Sequence, residues 1–221
     1  MYRCAECGLA ACCDTGDAAS YPGNCPSRES FETEVVGDYR DGEVNHLARN
    51  AALVEAHGYC RLTRIEEIMD FARRCGYSRL GLAFCIGLQA EAAIVSRVLR
   101  ANGFSVDSVA CKNGSLPKEE LGLGDEDKLS PGEFEAMCNP LGQARALDHA
   151  GTELNLLLGL CVGHDSLFMQ HSVAPVTVLA VKDRVLGHNP LAAIYLADGY
   201  YHDRLFPAAD GADDAPGGGD G

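Results

Sequence analysis

Apolar and polar positions change period twice along the chain, and each change marks a different kind of structure. Residues 1–26 hold no period at all: they are short on large apolar side chains and rich in Cys, Gly, Asp and Pro. Residues 27–42 (SRESFETEVVGDYRDG) are polar and read as a connector. From residue 43 the apolar positions recur every three or four residues. Val44, Leu47, Ala48, Ala51 and Val54 predict one helix over 43–58. A second is predicted over 63–76, with Ile65, Ile68, Met69, Ala72 and Cys75 inward. Thr63, with Glu66 three residues on, has capping-box spacing, and Gly76 supplies the stop.

Beyond residue 78 short, nearly continuous apolar runs alternate with helical stretches. Strands are predicted over 79–85, 104–111, 153–161 and 175–181, and helices over 88–103, 139–151, 164–172 and 189–201. A long polar loop occupies 112–133. Apolar strands that do not alternate with polar residues are covered on both faces, and intervening helices make the strands parallel. The prediction is an α/β fold, a Rossmann-like parallel sheet of four or more strands with helices on both faces. It divides into a cysteine-rich knuckle (1–26), the α/β domain (27–206) and an acidic tail (207–221) too poor in apolar residues to order itself.

Composition narrows the function classes. The 221 residues carry 18 Lys+Arg against 32 Asp+Glu, a formal charge of -14. Nucleic-acid binding is disfavoured, since phosphate contacts need a basic stripe. No apolar run is long enough to span a bilayer and no secretory signal is evident, so the expected location is the cytoplasm. Eleven cysteines are then the anomaly. In a reducing compartment they point to metal or redox chemistry rather than a disulfide framework.

The cysteines fall into two groups. Cys4, Cys7, Cys12, Cys13 and Cys25 lie in CAECGLAACC and NCP. Cys4 and Cys7 form a C-x-x-C knuckle; with Cys25 and either Cys12 or Cys13 they make four thiolates, the ligand set of a closed zinc site or an iron–sulfur cluster. Cys12 is taken as the ligand and Cys13 as the spare. In the second group Cys85, Cys111 and Cys161 each end a predicted strand, and Cys138 precedes a predicted helix. All strand C-termini of a parallel sheet lie on one edge, where open α/β folds bind ligands. Four soft thiolates suit zinc or an iron–sulfur centre such as 4Fe-4S and reject magnesium or calcium. His164, Lys182 and His188 fall near the same edge as candidates for moving protons or holding an anionic substrate. Lys112 adds a cation there, and Arg184 reads as an ion-pair partner of Asp183.

The strings CAECG, NCP, FCIGL, EAMCNP, LNLLLGLCVGHDSLF and VKDRV resemble an uncharacterised prokaryotic family of predicted cysteine-rich metal-binding proteins. The resemblance runs from Cys4 to about Tyr195. It implies metal binding through Cys4, Cys7, Cys12, Cys25, Cys85, Cys111, Cys138 and Cys161, and implies no substrate. Cys13, Cys60 and Cys75 lie outside those motifs.

The expectation is a redox-type metalloprotein. An iron–sulfur cluster or other thiolate-bound metal sits at the sheet edge facing a small-molecule pocket, with zinc or a second cluster in the N-terminal group. A small-molecule substrate or metal and an electron-transfer partner are implied. One alternative is a non-catalytic protein that senses or handles zinc; another is a metal-free thiol enzyme.

Overall fold

The computed structural model describes residues 1–14 and 17–207. The acidic tail therefore lies outside the described residues, apart from Pro207. The chain forms two compact units, Met1–Gly76 and Tyr77–Gly221.

The first unit opens with short 3-10 turns at Cys4–Glu6, Ala11–Cys13, Ala18–Ser20 and Pro26–Arg28. Three helices follow: α1 (Phe31–Asp38), α2 (Gly42–Gly58) and α3 (Arg64–Cys75). The segment read as a polar connector thus contains a helix. Helix α1 buries none of its residues, so it writes no apolar stripe into the sequence. Asp41 caps α2 by accepting the Glu43 amide at 3.1 Å. At the head of α3 the Glu66 carboxylate accepts the Thr63 amide at 2.8 Å. The C-cap Gly76 takes φ +77°, a left-handed turn that glycine enters without a Cβ penalty. Helices α2 and α3 pack together, and His46 Nε2 approaches the Cys75 carbonyl at 3.2 Å.

The second unit is the sheet. Strands β1 (Arg79–Phe84), β2 (Ser105–Ala110), β3 (Leu154–Leu158) and β4 (Val176–Ala180) are all parallel, in the order β2-β1-β3-β4. Helix α4 (Gln89–Ala101) crosses from β1 to β2, whereas α5 (Pro140–His149) and α6 (His164–His171) carry the chain the other way. Right-handed crossovers leaving in opposite directions put α4 on one face and α5 with α6 on the other, and α5 and α6 do pack on each other. Chain direction reverses between β1 and β3, the topological switch point. Leu80, Leu82, Leu154, Leu156 and Leu157 are at most 1% exposed.

Two buried polar side chains fix how these layers meet. Gly81 leaves room for Asn155: a Cβ there would lie 2.0 Å from Asn155 Oδ1. That oxygen accepts from Thr152 Oγ1 at 2.8 Å, and Asn155 Nδ2 donates to Ser172 Oγ at 2.8 Å. On α5, Gln143 Nε2 donates to the carbonyls of Val109 at 2.7 Å and Phe84 at 3.2 Å. The helix is thereby tied to the C-terminal ends of β1 and β2.

The segment over 112–133 is not an open loop. It is folded back by short turns and closed by a stem that starts beside Cys111. Toward the C-terminus the predicted helix 189–201 is realised only as α7 (Leu191–Tyr195), followed by turns and α8 (His202–Leu205). Among the described residues no helix is long and apolar enough to cross a membrane.

Candidate functional site

The parallel ladders lead directly to cysteines. The Cys111 amide donates to Phe84 O at 2.9 Å and the Cys85 amide to Leu158 O at 3.1 Å, so each takes the rung just past its strand. Cys161 lies three residues beyond β3 rather than at its last position. The strand ends where Gly159 turns to φ +64°, and a Cβ on Gly159 would meet Leu88 Cδ1 at 2.1 Å. Glycine enters that turn without a Cβ penalty and leaves the space that Leu88 fills. The Cys161 carbonyl then accepts the amides of His164 at 3.0 Å and Asp165 at 3.1 Å, starting α6. Cys138 precedes the α5 cap Asn139, whose Oδ1 accepts from Gly142 N at 2.8 Å.

Cys85 and Cys111 are buried and Cys138 is half-buried against the same core cluster. The Cys111 thiol donates a hydrogen bond to Cys138 and accepts one from Cys85; its sulfur also accepts the Ile86 amide at 3.3 Å. Hydrogen bonding to Cys138 and burial push the Cys111 thiol far up. The same bond, helped by the charge of Lys112 and opposed by burial, brings Cys138 down to about 7. A proton held on one sulfur stabilises the thiolate of the other. Arg184, read from sequence as a partner of Asp183, instead sends Nη2 to Cys161 Sγ at 3.0 Å. Asp183 Oδ1 accepts the Val185 and Leu186 amides.

A Cβ built on Gly87 would sit 3.4 Å from Lys182 Nζ and 3.9 Å from Cys85 Sγ, so ammonium and thiol flank one glycine at the switch point. His164 Nδ1 is buried with no hydrogen-bond partner. His188 holds φ +67°; its Nδ1 accepts the Asp183 amide at 3.1 Å, which leaves Nε2 as the nitrogen to carry or exchange a proton. Gln143 was not singled out by sequence. Its signal was a glutamine beside Ala144 and Leu147 on the inward face of α5, and its Oε1 is buried and unpartnered.

The stem begins at the cysteines. The Asn139 amide donates to the Cys111 carbonyl at 2.7 Å, Met137 N to Leu116 O at 2.7 Å and Lys118 N to Glu135 O at 3.0 Å. Lys112 Nζ donates to Ala136 O, and Lys118 pairs with Glu135 at 3.1 Å. Nearer the tip, Lys128 meets Glu119 at 2.7 Å and Asp125 at 3.1 Å.

In the N-terminal group, Cys4 and Cys7 share one turn closed by Cys7 N to Cys4 O at 3.1 Å. The Cys7 sulfur accepts backbone amides of Ala10 and Leu9, which lower its thiol. Repulsion from adjacent Cys13 raises Cys12, with Cys25 adding to it. Arg28 Nη1 donates to Ala18 O and Tyr21 O at 3.2 and 3.1 Å, folding the Cys25 turn back. Cys4, Cys7, Cys12 and Cys13 are exposed.

Among the described residues no three His, Cys, Asp or Glu side chains converge as ligands of a single ion. The sheet edge carries four sulfurs from four segments, soft donors by chemistry, with the Ile86 amide on Cys111 Sγ and the Arg184 guanidinium on Cys161 Sγ. An open groove lined by Arg79, Arg100, Phe104, Ser105 and Asp107 lies at the opposite edge, at the starts of β1 and β2. Both guanidinium groups there donate to backbone carbonyls.

Residues 25–179 match the family model described as "Protein of unknown function (DUF1847)". The uncharacterized protein MJ0455 of Methanocaldococcus jannaschii is 39% identical over 203 residues, 92% of this chain and 97% of that protein. No solved structure matches.

Proposed function

The chain belongs to the DUF1847 family of proteins of unknown function, and from its geometry we propose a cytoplasmic, redox-type protein with a thiolate-bound centre at the sheet's switch point. Cys85, Cys111, Cys138 and Cys161 hold the centre, with an iron–sulfur cluster as the preferred group. The observation that carries this reading is the gathering of four cysteines, each from a different segment, where parallel α/β sheets bind ligands. Core filler would scatter along the strands. A cluster supplies electron transfer or a Lewis-acidic iron when bound.

The remaining roles belong to the chain's own side chains. Lys182, beside Cys85, attracts an anionic small molecule. Arg184 orients Cys161 through the contact of its guanidinium with Sγ. His164 presents a buried nitrogen with no partner, and His188 an Nε2 freed by its turn; both serve proton transfer. In the N-terminal turns Cys4, Cys7, Cys12 and Cys25 take zinc or a second cluster, and an electron-transfer partner completes the reaction.

The test is iron, zinc and acid-labile sulfide analysis with an absorption spectrum on protein purified without oxygen, for wild type and Cys161→Ala. Iron and sulfide that fall in the variant support the reading. Zinc alone, unchanged in Cys161→Ala, overturns the cluster and leaves a zinc-handling protein.

A second reading has its own observation. The Cys111–Cys138 hydrogen bond, with Cys138 ionising near pH 7, is the arrangement of a nucleophilic thiolate and its neighbour. A metal-free thiol enzyme keeps full activity under chelation and loses it on alkylation of Cys138.

A further inference from the structure

Cys111 and Cys138 are the two ends of one structural device. The Asn139 amide donates to the Cys111 carbonyl at 2.7 Å, so the backbones of the two cysteines lie side by side, and both side chains pack in one core cluster. Everything between them folds as the stem and turns of residues 112–137. The tip is tied down by Lys128 and by the Gly132 amide, which donates to the Asp125 carboxylate at 2.7 and 2.8 Å. The first rung of the stem therefore lies at the two cysteines themselves.

We propose that Cys111 and Cys138 form a reversible disulfide that locks this stem and withdraws two of the four sulfurs from the sheet-edge site. The proposal deepens the four-cysteine reading, giving that site its regulation; the disulfide itself does not depend on which metal the site takes. Thiol disulfides in reducing compartments are characteristically transient and redox-sensing.

Exposure fixes the order of events. Cys138 is half-buried, whereas Cys111 is 3% exposed. A low-molecular-weight disulfide therefore meets Cys138 first. The Cys138 thiolate attacks one sulfur of the reagent; a protein–reagent mixed disulfide forms and one thiolate leaves. Cys111 then gives up its proton and its sulfur attacks Cys138, forming the internal bond and expelling the second thiol. Two protein thiols and one small disulfide become one protein disulfide and two small thiols. Two electrons pass from the protein sulfurs to the reagent sulfurs, so no other oxidant is needed.

The experiment treats the full chain, isolated without oxygen, with oxidised glutathione. It then blocks free thiols, maps the peptides, and measures iron and zinc on the same sample. The expected result is a crosslinked pair joining the Cys111 and Cys138 peptides, reversed by reduced glutathione, with a fall in metal uptake on reconstitution. Cys111→Ser, checked for a native circular-dichroism spectrum, should stop at one glutathione on Cys138. A Cys138 that accumulates glutathione in wild type without linking to Cys111, or links to Cys85 or Cys161 instead, overturns the disulfide. A crosslinked protein that still loads its full metal overturns the switch. Absence of metal from every preparation, with the crosslink present, removes the metal reading and leaves the disulfide standing.

Discussion

Cys85 and Cys111 each take the rung that follows a strand of the parallel sheet, whereas Cys4 and Cys7 share one short turn with both thiols exposed. The sheet-edge group is positioned by a core of leucines that needs no ligand to form. The N-terminal group is positioned by a few local hydrogen bonds, without a buried side chain among its turns. Two clusters of the same side chain therefore stand in different relations to a metal. At the sheet edge the fold itself holds the sulfurs in place; in the N-terminal turns a bound metal would supply order that the chain does not supply itself.

The strongest way to break this contrast is amide hydrogen exchange on metal-free protein. Amides of Leu82 and Leu156 should be protected at least about a thousandfold more than those of Cys7 and Cys13, because the strands open only with global unfolding. Equal protection would mean the N-terminal turns have a ligand-independent scaffold. The next effect in size is Leu156→Ala. This fully buried residue should cost about 2–5 kcal/mol on denaturant unfolding, and the same substitution at exposed Leu9 should cost nothing measurable.

A pH profile sharpens the comparison from the chemical side. Because Cys138 is lowered to about 7, its thiolate persists to neutral pH. Its alkylation rate should fall as pH drops through about 7, not through the ordinary ~8.5. Cys111→Ala removes the hydrogen bond and should move that midpoint upward. The rate at pH 7 falls only about threefold to fourfold, since a more basic thiolate is also the better nucleophile. An unmoved midpoint would show that Lys112 alone sets the thiolate. The smallest effect is expected for Lys128→Ala, whose partners Glu119 and Asp125 are half exposed. It should cost under ~1 kcal/mol, speed exchange at Gly132, and leave the Cys138 midpoint where it is.

Much of the sheet was legible because β1, β3 and β4 are short, largely apolar runs and the helices that pack on the sheet carry a three-to-four spacing; β2 (SVDSVA), at the sheet edge, is half polar. That alternation also places Cys85 and Cys111 at strand ends. Cys161 was misplaced by three residues because Leu160 and its neighbours extend the apolar run, and nothing in the composition marks Gly159 as the point where the backbone turns. Contacts between distant positions left no periodic trace. The Cys111–Cys138 hydrogen bond, the Arg184–Cys161 contact across 23 positions and the Met137–Leu116 rung all join segments that are locally unremarkable. Helix α1 escaped for the opposite reason: it buries nothing, so no apolar residues betray its period.

The closed stem has a practical side. Its two arms are fastened to each other at Leu116–Met137 and Lys118–Glu135, so the chain leaves and re-enters the α/β unit at one place whatever lies beyond. The turn farthest out carries Leu129, 90% exposed, and Pro131. Insertions are best tolerated at such tips. A tag or fluorophore inserted between Ser130 and Pro131 would project from the molecule while the sulfurs at the base keep their spacing, providing a handle for tethering or imaging the intact protein.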